Sequence, residues 1–187
     1  TDAAFRRALS RGGVLRDKGA HVLDTVHSLF GSMRVVRCCD DSLKGGVEGN
    51  VIVGVANERA VGSIQLSWDQ TLRDGLHVIG TERELWLGQE DLTILRIRRP
   101  GGPWTTLDCD CVWPADVDAD STRSHRPVQY YECAELLWVQ FLRVVLGIQS
   151  ETVPVEVAAE EMEWMDAAYA CARPMDLPWL EPAERRI

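Results

Sequence analysis

The 187-residue chain contains no Gly-x-Gly-x-x-Gly after a strand-like run and no Gly-Lys-Ser/Thr loop. It therefore carries no recognisable nucleotide-phosphate cradle of its own. It has no unbroken apolar run near the roughly 20 residues that span a bilayer, and its first residues hold charge where a signal peptide needs an apolar core. Positive charge is scarce. Twenty Lys and Arg against 29 Asp and Glu leave a net charge of −9, which argues against a nucleic acid or an anionic membrane as partner, because nothing would neutralise phosphates in a stripe.

The six cysteines, Cys38, Cys39, Cys109, Cys111, Cys133 and Cys171, nowhere show the C-x₂₋₄-C spacing that turns two thiolates onto one ion. At 45% apolar and 26% charged residues the chain reads as globular. It is long enough to bury about two thirds of its unfolded surface without a disulfide framework. Free thiols and a cytoplasmic address are the expectation, with Cys109 and Cys111 as same-face strand positions. Asp116, Asp118 and Asp120 alternate as calcium ligands do, but the central glycine and the bidentate glutamate of a calcium loop are missing, so a solvated loop and no metal site are expected.

The most informative stretch is Gly12 to Gly31. Counted at about 100° per residue, Leu15, Gly19, Val22, Val26 and Leu29 fall on one stripe, while Asp17, His21 and Asp24 fall on roughly the opposite side. The pattern predicts a helix over 14–30, closed by Gly31 at positive φ. Asp17 and His21, one turn apart, form a physical unit: a carboxylate there can orient an imidazole, or the two can share a substrate hydroxyl. Spacing alone equally allows a surface ion pair worth a few tenths of a kcal/mol.

Downstream, Met33 to Cys39 reads as a strand and Asp40 to Gly49 as a turn or loop. Val51, Val53 and Val55 alternate into a hairpin with Ile64, Leu66 and Trp68. Leu76 to Gly80, Glu84 to Leu87, Leu92 to Arg98 and Thr105 to Val112 follow with connections too short for parallel crossovers, which predicts an antiparallel meander. Pro127 to Leu146 reads as a helix with Tyr131, Ala134, Leu137, Trp138, Phe141 and Val145 on its core side. Val155 to Ala172 reads as another, with Val157, Met162, Met165, Ala168 and Tyr169 inward. The fold class is α+β: a mostly antiparallel, open-faced sheet of about six strands with helices on one face. Val51, Val53, Val55 and Val61 are expected on its other, uncovered face, to be shielded by a further domain or a second copy.

Gly12-Gly13-Val14-Leu15-Arg16-Asp17-Lys18-Gly19-Ala20-His21-Val22-Leu23-Asp24 resembles the Gly-Gly-Gly-x-x-x-Asp-x-Gly-x-His-x-x-Asp signature of the glucose-fructose oxidoreductase / inositol dehydrogenase / MocA family. Gly49 to Trp68 is similar to that family's strand pair ending in Ser-Trp, and Leu76 to Thr81 to its Ile-x-Gly-Thr strand. Phe141 to Gly147 with Val153-Pro154, and Ala167 to Ala172, resemble its closing helices. The likeness runs from about Gly12 to Leu177. It departs at the third glycine, replaced by Arg11 or Val14 depending on alignment, and at Lys18, where an apolar residue is usual.

The resemblance implies that residues 12–187 are the C-terminal, substrate-binding and oligomerisation domain of an NAD(P)-dependent oxidoreductase. Residues 1–11, with Phe5 and Leu9 in helical spacing, would lead in from an N-terminal Rossmann domain absent from this chain, which would hold NAD or NADP. It implies hydride transfer between nicotinamide and a hydroxyl-bearing carbon of a sugar, cyclitol or related polyol, and a homo-oligomer formed through the open sheet face. His21 would be the acid/base, Asp17 its orienting partner or a substrate ligand, Lys18 a substrate contact and Asp24 structural support. A general base is required, because removing hydride while leaving the hydroxyl proton would create a high-energy protonated carbonyl.

The competing expectation is a catalytically inactive regulatory or scaffolding domain of the same fold. His27 and His77 read as packed histidines, and Trp68, Trp86, Trp104 and Trp113 chiefly as core, with a sugar-stacking platform as the alternative.

Overall fold

The structure is a computed structural model and describes residues 12–43, 46–88, 94–108, 130–148 and 154–176. In chain order these form α1 (Val14–Phe30), β1 (Arg34–Asp40), β2 (Asn50–Ala56), β3 (Val61–Ser67), β4 (Gly75–Ile79), β5 (Glu84–Gly88), β6 (Ile94–Arg98), β7 (Thr105–Asp108), α2 (Tyr130–Val145), α3 (Val155–Cys171) and β8 (Ala172–Pro174). The class is α+β, as the sequence predicts. The strands divide between two four-stranded sheets, β3-β2-β1-β8 and β4-β5-β6-β7. Correspondingly the chain separates into two compact units, 1–72 with 153–187, and 73–152. Phe5 and Leu9, Cys109 and Cys111, Trp113 and the Asp116–Asp120 run lie outside the described residues.

In the first unit, α1 and α3 pack on one face of the first sheet. β2 is the sheet's centre, antiparallel to β1 and β3, with Val51 opposite Leu66 and Val53 opposite both Ile64 and Cys38. Val51, Val53 and Val55 are buried in the core shared with the helices. The expectation that these valines line an uncovered face is therefore corrected: side chains alternate along a strand, and it is Ile52, Gly54 and Ala56 that point the other way. Val61 is exposed at the start of β3. A closing strand was not foreseen. β8, directly after α3, runs parallel to β1 with Cys38 opposite Ala172, and Met175 N–H donates to the Asp40 carbonyl at 2.7 Å.

α1 has the predicted bounds, and Gly31 ends it at φ 72°. Its buried face, however, is Val14, Leu15, Gly19, Leu23 and Val26, with Phe30 against the core, while Leu29 is 56% exposed. The run 15, 19, 23, 26, 30 is centred about 40° around the helix from the predicted stripe. That rotation brings His27 to the edge of the packed side. In α3 the inward residues are Glu161, Trp164, Met165 and Ala168. Trp164 replaces the expected Met162, which is exposed.

One buried carboxylate fixes where α1 begins. No side chain caps the helix from its own N-cap residue, Gly13. Instead Glu48 Oε1 accepts hydrogen bonds from Gly13 N–H at 2.9 Å, Leu15 N–H at 3.2 Å and the Tyr169 hydroxyl at 2.7 Å. The Glu48 carbonyl also accepts from Val14 N–H at 3.0 Å. These are donors that a helix start leaves orphaned, and a negative charge there complements the macrodipole. The contact is so close that a Cβ on Gly13 would overlap the Glu48 carbonyl oxygen, and one on Gly12 the Tyr169 hydroxyl. The glycine pair is thus an accommodation to Glu48 and Tyr169.

In the second unit the sheet is an antiparallel meander with His77 opposite Trp86, Trp86 opposite Arg96, and Glu84 opposite Arg98. Glu84 Oε2 accepts from Arg98 Nε at 2.9 Å and Nη2 at 2.6 Å and lies 3.3 Å from His77 Nε2. Chiefly through the Arg98 hydrogen bonds, its carboxyl is held below the usual glutamate range. Arg73 stacks on Trp86 and Arg98 on Trp104, with ring-centroid distances of 3.8 and 4.4 Å, and His77 stands against both indoles at 6.0 Å. Trp104 is not core, as the sequence suggested, but part of this partly exposed cross-strand ladder. α2 also departs from expectation: Leu137, Trp138, Phe141 and Val145 are exposed. The side chains of Tyr131 and Ala134 lie outside the described set.

Glu48→Ala is expected to lower unfolding free energy by about 3 kcal/mol, because it removes a charged cap and strands two buried N–H groups. Tyr169→Phe, which deletes one donor, should cost about 1.5 kcal/mol. Urea denaturation of both variants measures this, and equal stability of Glu48→Ala and parent would remove the carboxylate from the account of the helix start.

Candidate functional site

Of the residues singled out from the sequence, Asp17, Lys18 and His21 share the exposed side of α1, and Asp24 is exposed one turn further on. They come together because the opposite side is committed to Leu15, Gly19, Leu23 and Val26. The site is thus a helix face anchored from beneath. Asp17 also sits in the first turn, where the helix dipole favours a carboxylate.

Asp17 is not hydrogen-bonded to His21. Its Oδ2 accepts a hydrogen bond from Trp68 Nε1 at 3.2 Å, across 51 positions of sequence. Trp68 is 38% exposed, so it belongs to the surface of this site and not to the core. No hydrogen bond or ion pair engages the His21 ring or the Lys18 amine among the described residues, which leaves the imidazole and the ammonium open to a bound molecule.

How β3 delivers Trp68 to α1 can be followed atom by atom. Asp41 Oδ1 accepts from Gly49 N–H at 2.8 Å and Asn50 N–H at 2.9 Å, and its Oδ2 accepts from Asn50 Nδ2 at 2.6 Å. Asn50 Oδ1 in turn accepts from the Ser67 hydroxyl at 2.6 Å. Ser67 Oγ accepts from Gln70 N–H at 2.8 Å, fixing the chain reversal after β3, and Trp68 N–H donates to the Gly49 carbonyl at 2.9 Å. Ser67 sets the turn, and Trp68 leaves it towards Asp17. Neither Glu48 nor this use of Trp68 was legible beforehand. The only sequence signals were a charged residue among glycines, Gly45-Gly46-Val47-Glu48-Gly49, and a tryptophan just past a strand.

His27 belongs to another environment. Its Nε2 lies 3.6 Å from Glu160 Oε2, its Nδ1 lies 3.6 Å from Glu161 Oε1, and its ring meets Trp164 edge-on at 5.2 Å. Glu160 also accepts a hydrogen bond from the Ser32 hydroxyl. Glu161 is buried with no hydrogen-bond partner for Oε1. Burial, then the Asp24 charge, push its carboxyl above the usual glutamate range, opposed by His27. This cluster joins α1 to α3.

Cys38, Cys39 and Cys171 are free thiols, and burial pushes Cys38 up to about 12, which makes it unreactive. Among the described residues, no group of three His, Cys, Asp or Glu side chains gathers as a metal site. No helix among them is long and apolar enough to cross a membrane. The glycine-opened start of α1, where a phosphate would be sought in a nucleotide fold, is filled by Glu48 and does not fit a dinucleotide pyrophosphate.

No protein-family model matches the sequence, and no curated protein matches it. Solved structures do. An NAD binding oxidoreductase from Klebsiella pneumoniae is similar at TM-score 0.71 and 20% identity, over 90% of this chain and 50% of that one. Levoglucosan dehydrogenase in complex with NADH and levoglucosan is similar at TM-score 0.65 and 17% identity, over 90% of this chain and 51% of that one. An inositol dehydrogenase homolog from Azotobacter vinelandii, complexed with NADH and myo-inositol, is similar at TM-score 0.65 and 18% identity, over 85% and 48%. The chain spans about half the length of the solved chains it matches. The shared feature is the fold, found here in a set of NAD-binding oxidoreductases.

Raised proton affinity at Glu161 has a definite consequence for stability. The folded state holds this proton more tightly than the unfolded chain, so the contribution is most favourable at acid pH and is lost as pH rises from about 4.3 through the folded value. Glu161→Gln is therefore expected to be more stable than the parent near neutrality and level with it at about pH 4, with His27, Glu160 and Asp24 unchanged. Denaturant melts at the two pH values check the sign.

Proposed function

We propose that this chain is the substrate-binding part of an NAD(P)-dependent oxidoreductase of the glucose-fructose oxidoreductase / inositol dehydrogenase / MocA family, acting on a hydroxyl-bearing carbon of a sugar, cyclitol or related polyol. The observation that carries the reading is the exposed α1 face, on which Asp17 is held by Trp68 while His21 and Lys18 keep free polar groups. The fold shared with levoglucosan- and myo-inositol-bound dehydrogenases supports it.

In this reading His21 takes the hydroxyl proton as hydride leaves, and Asp17 accepts a hydrogen bond from the same or a neighbouring hydroxyl. Lys18 contacts substrate oxygens from the adjacent position. Asp24 supports the face from the next turn. Bound NAD or NADP supplies the hydride acceptor, and in this reading a Rossmann domain outside residues 1–187 holds it. Oligomerisation through the sheet surface carrying Ile52, Gly54 and Ala56, and a cytoplasmic location consistent with the free thiols Cys38, Cys39 and Cys171, belong to the same proposal.

The test is a panel of pyranoses and cyclitols, levoglucosan and myo-inositol included, offered with NAD⁺ and NADP⁺ to the full-length protein. In it, His21→Ala is expected to lower kcat about 100-fold or more with a smaller change in KM, as loss of a positioned acid/base does. His27→Ala should lose stability through its α3 contacts and keep kcat. A His21 variant that turns over normally would reduce the motif to a packing signature and favour the inactive, scaffolding alternative.

A further inference from the structure

Trp68 performs a task that a buried tryptophan would not: it spends its indole N–H on the carboxylate of Asp17 while leaving more than a third of its surface in solvent. Four features fix it there. Its backbone N–H is tied to Gly49, and Gly49 is clamped by Asp41. The preceding Ser67 is bonded to Asn50, and Asn50 is bonded to Asp41. The helix that carries Asp17 is pinned at its start by Glu48, the residue before Gly49. Both partners of the Trp68–Asp17 bond are therefore referred to one short segment, 48–50, and neither is free to drift alone.

We infer that Trp68 is a specificity-determining residue of this site, which orients Asp17 through its indole N–H and offers its exposed ring to the C–H face of a pyranose or cyclitol. The inference rests on the functional reading above. The division of labour follows from donor chemistry. A carboxylate has two oxygens, and with Oδ2 engaged by the indole, Oδ1 is left to accept from a substrate hydroxyl. An indole ring beside that oxygen presents a flat apolar surface, the complement of a saturated ring whose axial C–H bonds point one way and whose hydroxyls point around the rim. A linear polyol, which has no such flat face, gains from Asp17 but not from the ring. His21 donates no hydrogen bond to Asp17, so its own orientation is left to the substrate.

Two measurements on the full-length protein test this. First, ¹⁵N-labelled tryptophan reports the indole N–H directly: Asp17→Ala should move the Trp68 resonance upfield as its acceptor is lost, and an unmoved resonance overturns the inference. Second, kinetics on myo-inositol, levoglucosan and sorbitol separate the two roles. Trp68→Phe, which keeps a ring and loses the donor, is expected to lower kcat/KM about tenfold, and the double variant with Asp17→Asn should be no worse than Asp17→Asn alone. Trp68→Leu should in addition raise KM for the two cyclic compounds several-fold relative to sorbitol. Additive losses in the double variant, or equal losses of Trp68→Leu on cyclic and linear substrates, would overturn the role of Trp68 while leaving the oxidoreductase reading intact. Absence of turnover on the whole sugar and polyol panel, with either cofactor, would overturn both.

Discussion

A single carboxylate, Glu48, sets the position of the helix on which the candidate site is built. It reaches the N-terminus of α1 from 35 residues downstream, accepts from Gly13 and Leu15 N–H and from the Tyr169 hydroxyl, and so joins α1, the loop before β2, and α3 at one point. The magnitudes divide the work. Burial of Leu15, Leu23 and Val26, at about 1.5–3 kcal/mol each, holds α1 onto the sheet and exceeds what a cap contributes. Apolar contacts, however, are non-directional and tolerate a sliding helix. The hydrogen bonds at its start do not, and they decide which residues stand on the exposed face of α1.

From that anchor the electrostatics of the α1 face follow. Asp17 finds a donor in Trp68, whose place is determined by the Asp41–Asn50–Ser67 chain. The same rotation of α1 that turns Asp17 and His21 outward carries His27 inward, between Glu160 and Glu161 and against Trp164. Two histidines six positions apart on one helix thus have opposite surroundings, one exposed and one in a partly buried acidic cluster. Spacing already set His27 off the side of Asp17 and His21; packing supplies the partners it meets there.

The second unit uses a different principle. Its sheet is stabilised on one face by a ladder of stacked guanidinium, imidazole and indole groups around Glu84, where opposite charges meet across β5 and β6. α2 keeps an amphipathic sequence, yet Leu137, Trp138, Phe141 and Val145 are exposed, with Trp138 and Phe141 edge-to-face at 6.0 Å. Amphipathicity marks a surface that suits burial. It does not by itself provide the covering partner.

Much of the architecture was legible without coordinates, because it rests on local periodicity. The bounds of α1, the positive φ at Gly31, the β2–β3 hairpin and the antiparallel meander all follow from patterns of period 3.6 or 2 and from turn residues. The exposed side carrying Asp17, His21 and Asp24 was legible for the same reason. What the sequence could not determine depends on pairs far apart in the chain: Glu48 beneath Gly13, Trp68 beside Asp17, β8 added parallel to β1, and the division of the strands into two sheets. Helical phase was also decided tertiarily. Val22, Leu23 and Leu29 are all apolar, and only the surface offered by β2, β3 and α3 selected Leu23 for burial and left Leu29 outside. The sequence by itself determined that residues 14–30 form a helix with Asp17, His21 and Asp24 on one side, since a 3.6-residue repeat is an internal property of the segment. The tertiary structure alone decided what its residues face, since that depends on which distant groups supply the complementary donors and the apolar bed.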